Sequence, residues 1–303
     1  METILIAGGA GLIGTNLSGK LKEKGYNVLL LSRKSKRGNS YSVYSWNPNK
    51  SEIENEAIKR ADYIINLAGA GIGDKRWTKK RRDLILDSRV KTSELIFNKI
   101  QETGKKPKAF ITASGIGYYG ANTSEKIFSE TDQPAADFIG QICQQWEEAA
   151  DLFEESGIRT VKIRTGIVLS KKGGALSRMA VPVKFWIGSA LGSGKQYLPW
   201  IHIDDLCDIY VRAIEDAKMT GAFNAVAPQH VSNREFMRTL AQVMGKPFFF
   251  PAIPSVVLKL LFGKMSDILL YGSRISAEKI ISAGYEFKFP GLANALKDLF
   301  IKR

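Results

Sequence analysis

A glycine-rich turn close to the amino terminus contains the residues whose type and spacing best suit a chemical role. Gly9, Gly11 and Gly14 fit the pattern G-x-G-x-x-G, and Gly8 extends it to G-x-x-G-x-x-G. The turn follows an apolar run and opens a segment with helical spacing, as dinucleotide-binding turns do. Glycines let the backbone approach a pyrophosphate, and the helix start supplies free N–H groups and a positive dipole end. The pattern predicts cofactor contacts from Gly8, Gly11, Leu12, Ile13 and Gly14.

The end of the second apolar run distinguishes between the two nicotinamide cofactors. A site for NAD(H) usually places Asp or Glu there to bind the ribose 2′-hydroxyl, but this run ends in Leu31, Ser32 and Arg33. The Arg33 guanidinium suits a 2′-phosphate because it can donate two parallel hydrogen bonds, and Ser32 adds a hydroxyl donor. The sequence therefore predicts NADP(H), held by Ser32 and Arg33. The alternative is an exposed arginine in a basic loop.

Other chemistry has few candidate residues. The chain has two cysteines, Cys143 and Cys207, and two histidines, His202 and His230. These are too few for a disulfide framework or for a metal centre built from Cys or His, so we expect no metal. His202 is a candidate acid or base and Cys143 a candidate nucleophile, but a helix-start histidine and a buried thiol are the preferred interpretations. The low cysteine content and the absence of an apolar leader favour a cytoplasmic location.

The elements that must position these residues alternate along the first two-thirds of the chain. Apolar runs separated by segments with helical spacing indicate a parallel sheet covered by helices on both faces. We therefore expect an α/β fold, a Rossmann-type doubly wound parallel sheet with a smaller, mostly helical C-terminal substrate lobe. The predicted strands are 4–7, 28–31, 41–46, 63–67, 109–113, 160–163 and 222–226. The predicted helices are 12–24, 82–101, 138–155 and 204–216.

Length and composition fit this organisation. The chain has 303 residues, 44% of them hydrophobic and 24% charged, which excludes a disordered chain, a collagen-like repeat and a coiled coil. The alternating pattern changes near residue 170, where glycine-rich segments begin. We predict an NADP-binding domain over residues 1–170, to which 201–227 return. Residues 171–200 and 228–303 would form the substrate lobe, with the amphipathic segment 255–262 docked onto the first domain.

The net charge of +14 is concentrated at a few places. The densest run, 75–82, has six cations in eight residues. It could bind phosphate or nucleic acid, but no nucleic-acid-binding pattern accompanies it, so we interpret it as a solvated helix start and do not expect nucleic-acid binding. No apolar run reaches the roughly 18 residues of a membrane span, so we expect no membrane association.

Several further motifs resemble those of one enzyme family. The pattern N-x-A-G occurs at 66–69, and a serine-containing strand end occurs at 112–120. With the glycine turn, these resemble the extended and atypical short-chain dehydrogenases/reductases, and specifically the branch called epimerase family proteins, which are labelled sugar-nucleotide epimerase-like or cell-division-inhibitor-like. Segments throughout the chain carry the resemblance to that branch: 87–92, 173–176, 192–196, 200–206, 224–228 and 284–287.

The resemblance implies a set of site residues. Leu67, Ala68 and Gly69 would lie beside the adenosine and pyrophosphate, and Arg89 would approach the cofactor from the long helix. Ile167 and Val168, after the sixth strand, would face the carboxamide. Trp186, Trp200 and the loop 188–194 would line the cleft. Ser114 would lie near the nicotinamide as the best catalytic candidate. Tyr118 and Tyr119 would be substitute proton donors, with aromatic packing as the alternative for both.

The catalytic Tyr-x-x-x-Lys pair of the family is missing. No tyrosine has a lysine four residues after it, and Ile139 and Cys143 occupy the corresponding places. An aliphatic side chain cannot transfer a proton. The sequence thus leaves two hypotheses. The first is an NADP(H)-binding epimerase/dehydratase- or oxidoreductase-like protein that acts on an unknown small molecule, with a sugar nucleotide as one candidate. The second is a non-catalytic NADP(H) sensor that binds a protein partner.

Overall fold

Twelve strands are present in the residues that the structure describes. The computed structural model describes residues 1–33 and 41–301. The strands are β1 (Thr3–Ala7), β2 (Asn27–Ser32), β3 (Ser42–Asn47), β4 (Glu52–Ile53), β5 (Tyr63–Asn66), β6 (Ala109–Gly115), β7 (Ile127–Phe128), β8 (Arg159–Thr165), β9 (Ile167–Leu169), β10 (Trp200–His202), β11 (Gly221–Ala225) and β12 (Arg274–Ile275). Eight of them form one sheet in the order β11–β8–β6–β5–β1–β2–β3–β4, in which only the β3–β4 pair is antiparallel.

Alternation along the first strand shows why the sheet is buried on both faces. Ile4 and Ile6 belong to one apolar core, whereas Leu5 and Ala7 belong to a second core on the opposite face. Successive side chains of a strand point to opposite faces. A continuous apolar run therefore has both faces covered, and the predicted doubly wound sheet is confirmed.

Eleven α-helices in the described residues surround this sheet and form the second lobe. They are α1 (Leu12–Glu23), α2 (Asn55–Arg60), α3 (Lys79–Thr103), α4 (Phe138–Glu155), α5 (Gly174–Lys184), α6 (Ile203–Glu215), α7 (Asn233–Val243), α8 (Ser255–Phe262), α9 (Asp267–Leu270), α10 (Glu278–Ser282) and α11 (Leu292–Phe300). Helices α1 and α6 pack together on one face, and α2, α3 and α4 cover the other. None of the described helices is long and apolar enough to cross a membrane.

The C-terminal part has its own core and is mostly helical, as predicted. Leu176, Trp200, Phe236 and Leu296 belong to this core, which joins α5, β10, α7 and α11. Trp200 is fully buried there. The prediction that it lines the cleft is therefore wrong, because its large apolar side chain packs inside the core of the C-terminal lobe instead.

One buried carboxylate joins the C-terminal tail to the first domain. Asp205 in α6 accepts hydrogen bonds from the Tyr285 hydroxyl at 2.8 Å, from the Lys288 amide at 2.8 Å and from the Phe289 amide at 3.1 Å. Asp205 has no exposed surface, and buried acceptors must be satisfied by donors. The tail 285–289 thus completes the packing of α6. The domain boundaries at residues 170, 200 and 227 stay a prediction.

Candidate functional site

The glycine turn between β1 and α1 is fixed by close backbone packing. Gly8 has a φ of +81°, and a Cβ there would lie 2.8 Å from the backbone carbon and oxygen of Leu67. A Cβ on Gly14 would lie 2.5 Å from the Gly8 carbonyl oxygen. At Gly11 the corresponding distance to the same oxygen is 3.3 Å. The protein's own packing therefore requires glycine at positions 8 and 14, whereas Gly11 has more space on its outer side.

The amino end of α1 is suited to a negatively charged ligand. Gly11 forms the N-cap without a side-chain hydrogen bond, and the first turn of the helix has no Asp or Glu. The N–H groups at the start of a helix lack partners within the helix, and the dipole is positive there. The turn therefore presents donors and positive potential with no competing acid.

The other predicted cofactor residues lie at the same edge of the sheet. β2 and β5 both pair in parallel with β1. Ser32, the last residue of β2, and Leu67, which directly follows β5, therefore lie at the strand ends on either side of the glycine turn. Arg33 directly follows β2 and is exposed. Asn66 fixes the backbone after β5, because its side-chain oxygen accepts from the Ala68 amide at 3.1 Å while its amide donates to Thr92 and Ser93.

A cleft of about 430 Å³ opens at this edge, between the carboxyl ends of the strands and the C-terminal lobe. Seven of the predicted residues line it: Ile13, Leu67, Gly69, Arg89, Ser114, Tyr119 and Ile167. The remaining predicted residues do not contribute to its lining: Gly8, Gly11, Leu12, Gly14, Ser32, Arg33, Ala68, Tyr118 and Val168. Val168 pairs with Ile201 in the β9–β10 ladder, so of the predicted pair only Ile167 borders the cleft.

Arg89 is a buried cation that lacks a carboxylate partner in the described residues. It is 6% exposed, and its Nη1 donates a hydrogen bond to the Ile85 carbonyl at 2.8 Å. Burial lowers the pKa of its guanidinium to about 10. Its Cζ lies 4.9 Å from the ring centroid of Trp146, and Arg89 Nε and Trp146 Nε1 are both buried donors without an acceptor. Two orphaned donors on the lining of one cleft fit an anionic or strongly accepting ligand.

Ser114 belongs to a buried ionic network at the end of β6. Its hydroxyl donates to Glu147 Oε1 at 2.6 Å, and Arg164 donates to both Glu147 oxygens at 2.8 Å. Glu147 comes from α4 and Arg164 from β8, and both are buried. Since Ser114 uses its proton toward Glu147, its oxygen can accept a hydrogen bond from a molecule in the cleft.

Tyr119 is the next member of this network. Its hydroxyl donates to Asn224 Oδ1 at 2.7 Å and accepts from Arg164 Nη1 at 3.0 Å. Burial raises the pKa of the Tyr119 phenol to about 12. The Tyr118 ring lies 3.5 Å from the Arg164 guanidinium carbon, and burial also raises its pKa. Both phenols therefore stay protonated at neutral pH, and the Tyr119 hydroxyl is already engaged as donor and as acceptor.

The places of the missing catalytic pair face the same cleft. Ile139 and Cys143 line it from α4, and Cys143 Sγ would lie 3.7 Å from a Cβ added at Gly115. Burial raises the pKa of the Cys143 thiol to about 12. Because an isoleucine has no proton to transfer and this thiol stays protonated at neutral pH, neither residue replaces the Tyr/Lys pair.

The lobe side of the cleft was not found by sequence reasoning. It consists of Tyr197, Leu198 and Pro199 together with residues of the segment 267–275. The loop 188–194 and Trp186 do not line the cleft, so that prediction is wrong. The sequence offered a signal for the first group, because Tyr197 and Pro199 directly follow a glycine-rich segment. It offered no such signal for the segment 267–275, which is far away along the chain.

The basic run 75–82 is partly used for internal contacts. Arg76 donates to the Leu260 carbonyl at 3.2 Å, the Arg82 guanidinium lies 5.4 Å from the Phe138 ring, and Arg81 lies 3.7 Å from Asp74. These contacts support the interpretation as a helix start, with Thr78 as the side-chain cap of α3. Nucleic-acid binding stays untested.

Comparison with known proteins agrees with this geometry. The sequence profile of the NAD dependent epimerase/dehydratase family matches residues 4–225. The chain belongs to this family. A second profile, a domain of unknown function called DUF1731, matches residues 253–299. The resemblance to the epimerase family branch is therefore confirmed, and DUF1731 coincides with the last part of the C-terminal lobe.

Individual relatives cover the whole chain. It is 36% identical over 299 residues to the epimerase family protein SDR39U1 of Mus musculus, covering 98% of this chain and 99% of that protein. It is 34% identical over 302 residues to the epimerase family protein SAR0825 of Staphylococcus aureus (strain MRSA252), covering 100% of both. The crystal structure of human epimerase family protein SDR39U1 (isoform 2) with NADPH superimposes with a TM-score of 0.86 at 33% identity, over 98% of each chain.

Proposed function

We propose that this family member binds NADP(H) and acts as an oxidoreductase- or epimerase-like enzyme on a small molecule in the cleft. The observation that carries the proposal is Arg89, a buried guanidinium without a carboxylate partner in the described residues, on the lining of the cleft beside the glycine turn. A buried unpaired charge is costly and is expected only where a ligand completes it. The similar human protein was crystallised with NADPH, which supports the choice of cofactor.

The residues present fit this cofactor. The backbone of the turn at Gly11 would hold the pyrophosphate, Ser32 and Arg33 would hold the 2′-phosphate, and Arg89 would donate to an oxygen of the cofactor. When bound, NADP(H) supplies hydride transfer. Ser114 would accept a hydrogen bond from a substrate hydroxyl, since its own proton is directed at Glu147. In alcohol oxidation, a proton leaving that hydroxyl would pass to Ser114 Oγ while the Ser114 proton passes to Glu147. Carbonyl reduction would use the same steps in reverse, with Ser114 delivering a proton to the substrate oxygen and taking one from protonated Glu147.

The charge of the cleft bears on the substrate. Arg89 and Asp267 are the charged residues on its lining, and most other lining residues are apolar, such as Ile72, Ile139, Leu198 and Ile268. A cofactor with a pyrophosphate would already engage Arg89. A second diphosphate would meet Asp267 and no further cation of that lining, which is unfavourable in a site of low dielectric. We therefore propose a small, uncharged and largely apolar substrate in preference to a sugar nucleotide.

Calorimetric titration with NADPH and NADH tests the cofactor. We expect NADPH to bind at least about tenfold more tightly than NADH, a difference of about 1.4 kcal/mol. Arg33→Ala should remove that preference and leave NADH affinity unchanged, because only the 2′-phosphate is lost as a partner. Lys59→Ala, an exposed cation on α2, is the matched control. Equal affinities for both cofactors, or no binding of either, would refute the proposal.

Turnover is tested separately with the NADPH-saturated protein. Small neutral carbonyl compounds should oxidise NADPH, whereas sugar nucleotides should not. Ser114→Ala should lower the rate by about a hundredfold, and Tyr118→Phe should change it little. Loss of activity in Tyr118→Phe with activity retained in Ser114→Ala would reverse these roles.

A second candidate is a non-catalytic NADP(H) sensor that binds a protein partner. Ile139 and Cys143 at the places of the catalytic pair favour it. It predicts a partner whose affinity changes with NADPH. Pull-downs with and without NADPH distinguish it from the enzyme, because capture that is indifferent to the nucleotide contradicts a sensor.

A further inference from the structure

One side of the C-terminal lobe exposes an unusual amount of apolar surface. Sixteen large apolar side chains are exposed in residues 1–33 and 41–301, and ten of them lie in two segments of this lobe. Leu260 is 77% exposed, and α8 packs inward mainly through Leu258. The expected docking of α8 onto the first domain is therefore wrong for most of its apolar residues. We call the ten residues the lobe face: Val181, Phe185, Trp186, Ile187, Phe249, Phe250, Val256, Val257, Leu260 and Leu261.

The two segments of the lobe face are joined through the backbone. Leu191 and Ile253 form a parallel bridge, with the Gly192 amide donating to the Ile253 carbonyl at 2.9 Å and the Ile253 amide donating to Ala190 at 2.8 Å. Lys246 Nζ lies 4.5 Å from the Trp186 ring centroid. Each of the two exposed segments therefore lies within a few residues of this backbone bridge. The two segments form one region of the lobe.

Trp186 is an exposed tryptophan directly after the end of α5. Its φ is +67°, in the left-handed region in which many helices end, and its amide donates to the Val183 carbonyl at 3.0 Å. Glycine is the usual residue at this position, so a tryptophan there costs about 1 kcal/mol or more. The side chain is 56% exposed, and it therefore adds a large aromatic surface to the lobe face.

The charge around the lobe face has one sign. Residues 171–200 contain five lysines and arginines, residues 244–266 contain three lysines, and neither segment contains Asp or Glu. Lys184, Lys259 and Lys264 are exposed. Asp74 lies outside the two segments, and its carboxylate forms an ion pair with Arg178 of the first segment at 2.9 Å. Lysine stems pack along apolar surface while their ammonium groups stay in a polar layer.

We propose that the lobe face binds the surface of a membrane that contains anionic lipids. Such a surface satisfies both features together, because apolar side chains enter the boundary of the acyl region while lysines meet the headgroups. Segments that lie in the interface of a membrane typically combine Trp, Phe and Leu with Lys. The lobe face has these residue types, and its two segments contain no acidic residue. A surface contact needs no membrane-spanning helix. The proposal therefore departs from our expectation of no membrane association, which rested on the absence of a span in the sequence.

The loop 188–194, which follows the first segment of the lobe face, contacts α9 beside the cleft. A Cβ on Gly192 would lie 2.7 Å from Leu270, and the neighbouring Ile268 and Tyr271 line the cleft. A protein docked through this face would therefore hold the cleft close to the lipid. The docking itself is independent of the cofactor and does not rest on the proposed enzyme activity.

Flotation of the full-length protein with vesicles tests the proposal. Phosphatidylcholine vesicles with about 30% phosphatidylglycerol should bind the protein at least about tenfold more tightly than pure phosphatidylcholine, and about 0.5 M salt should weaken this binding severalfold. Leu260→Glu should reduce it about tenfold or more. Leu84→Glu, at a 48% exposed leucine of α3, is the matched control and should leave binding unchanged.

A second variant separates docking from folding. Trp186→Gly relieves the left-handed backbone, so thermal stability should hold or rise while vesicle binding falls. Absence of binding to anionic vesicles overturns the proposal. Equal losses in Leu84→Glu and Leu260→Glu also overturn it. A dimer in light scattering that Leu260→Glu converts to monomer would show that a second copy covers the face and would equally overturn it.

Discussion

Two arginines buried beside the cleft differ in what surrounds them. Arg164 has the Glu147 carboxylate, with two hydrogen bonds of 2.8 Å. Arg89 has a backbone carbonyl and the face of Trp146, and its Nε has no acceptor. A buried ion pair is completed inside the protein, whereas a buried lone guanidinium needs a ligand. This contrast assigns Arg164 to the architecture and Arg89 to binding.

The first prediction concerns Arg89→Met. Loss of the charge should weaken NADPH binding by about 2 kcal/mol, or roughly thirtyfold, because a charge-assisted hydrogen bond to the cofactor is removed. The same change should raise the free energy of unfolding of the ligand-free protein by about 1 kcal/mol, because burying methionine does not carry the desolvation cost of burying a charge. Calorimetry and urea unfolding measure the two effects. A variant that is both destabilised and fully able to bind NADPH would show that Arg89 is structural.

The second prediction concerns the Glu147–Arg164 pair. Glu147→Met should lower the free energy of unfolding by about 3–5 kcal/mol, because it leaves Arg164 buried without a counter-charge. Adding Arg164→Met should recover part of that loss, so the double variant should be more stable than Glu147→Met alone. Urea unfolding of the four proteins gives the coupling. Simple additivity of the two single effects would contradict a coupled pair.

At the residue scale, the sequence was informative where backbone geometry dictates the residue type. Gly8 and Gly14 could be predicted because a tight turn at a strand end admits no side chain. The ionic network behind Ser114 could not, since Glu147 and Arg164 come from separate elements and carry no spacing signal. Pairings of this kind depend on the sheet order, which a single sequence does not contain.

The start of α6 shows how an element depends on one buried group. His202 is its N-cap, with Nδ1 accepting from the Asp204 amide at 3.2 Å. The ring stacks on Phe289, 3.9 Å away, and Nε2 lies 3.5 Å from Asp298 Oδ2. Burial lowers the pKa of His202, against the opposing influence of Asp204, Asp298 and Asp205. The neutral imidazole, with its proton on Nε2, is therefore the form that the fold requires.

The third prediction is a loss of stability in mild acid. Because the folded pKa of His202 lies below its ordinary value of 6.5, the unfolded chain takes up a proton more readily as pH falls through 6.5. Unfolding then becomes easier. His202→Asn keeps a cap acceptor without a titrating ring, so it should lose less stability between pH 7.5 and 5.5. Urea unfolding of both proteins at pH 7.5 and pH 5.5 measures the loss of stability. An equal loss in His202→Asn and in the parent protein would contradict the role of His202.

At the element scale, long periodic segments were predictable and short pairings were not. The predicted helix 12–24 and strand 41–46 correspond to α1 (Leu12–Glu23) and β3 (Ser42–Asn47). The two-residue strands β7 and β12 pair with each other across the lobes, and two residues are too few for any period. The apolar helix α8 was found, but its partner was misjudged, because amphipathic spacing does not reveal which face is covered.

At the scale of the whole molecule, the C-terminal segment is part of both cores. Ile275, Ile280 and Tyr285 pack in the core that contains β1 and α6. Leu292 and Leu296 pack in the core of the second lobe. The segment 253–299 that matches DUF1731 therefore completes the cofactor-binding domain as well as the lobe. Its removal would expose apolar surface on both sides of the cleft.

The fourth prediction is that the chain ending at residue 252 does not fold to a native domain. Removing the tail takes away the donors that Asp205 receives from Tyr285, Lys288 and Phe289. It also exposes the core of β1 and α6 that Ile275, Ile280 and Tyr285 cover, and each large apolar side chain lost from a core costs about 2–5 kcal/mol. A typical domain has only about 5–15 kcal/mol of net stability. The shortened chain should thus lack a cooperative unfolding transition in circular dichroism, and excess NADPH should not restore one. A sharp transition in the shortened chain would mean that the first domain is independent and that the tail serves only the cleft.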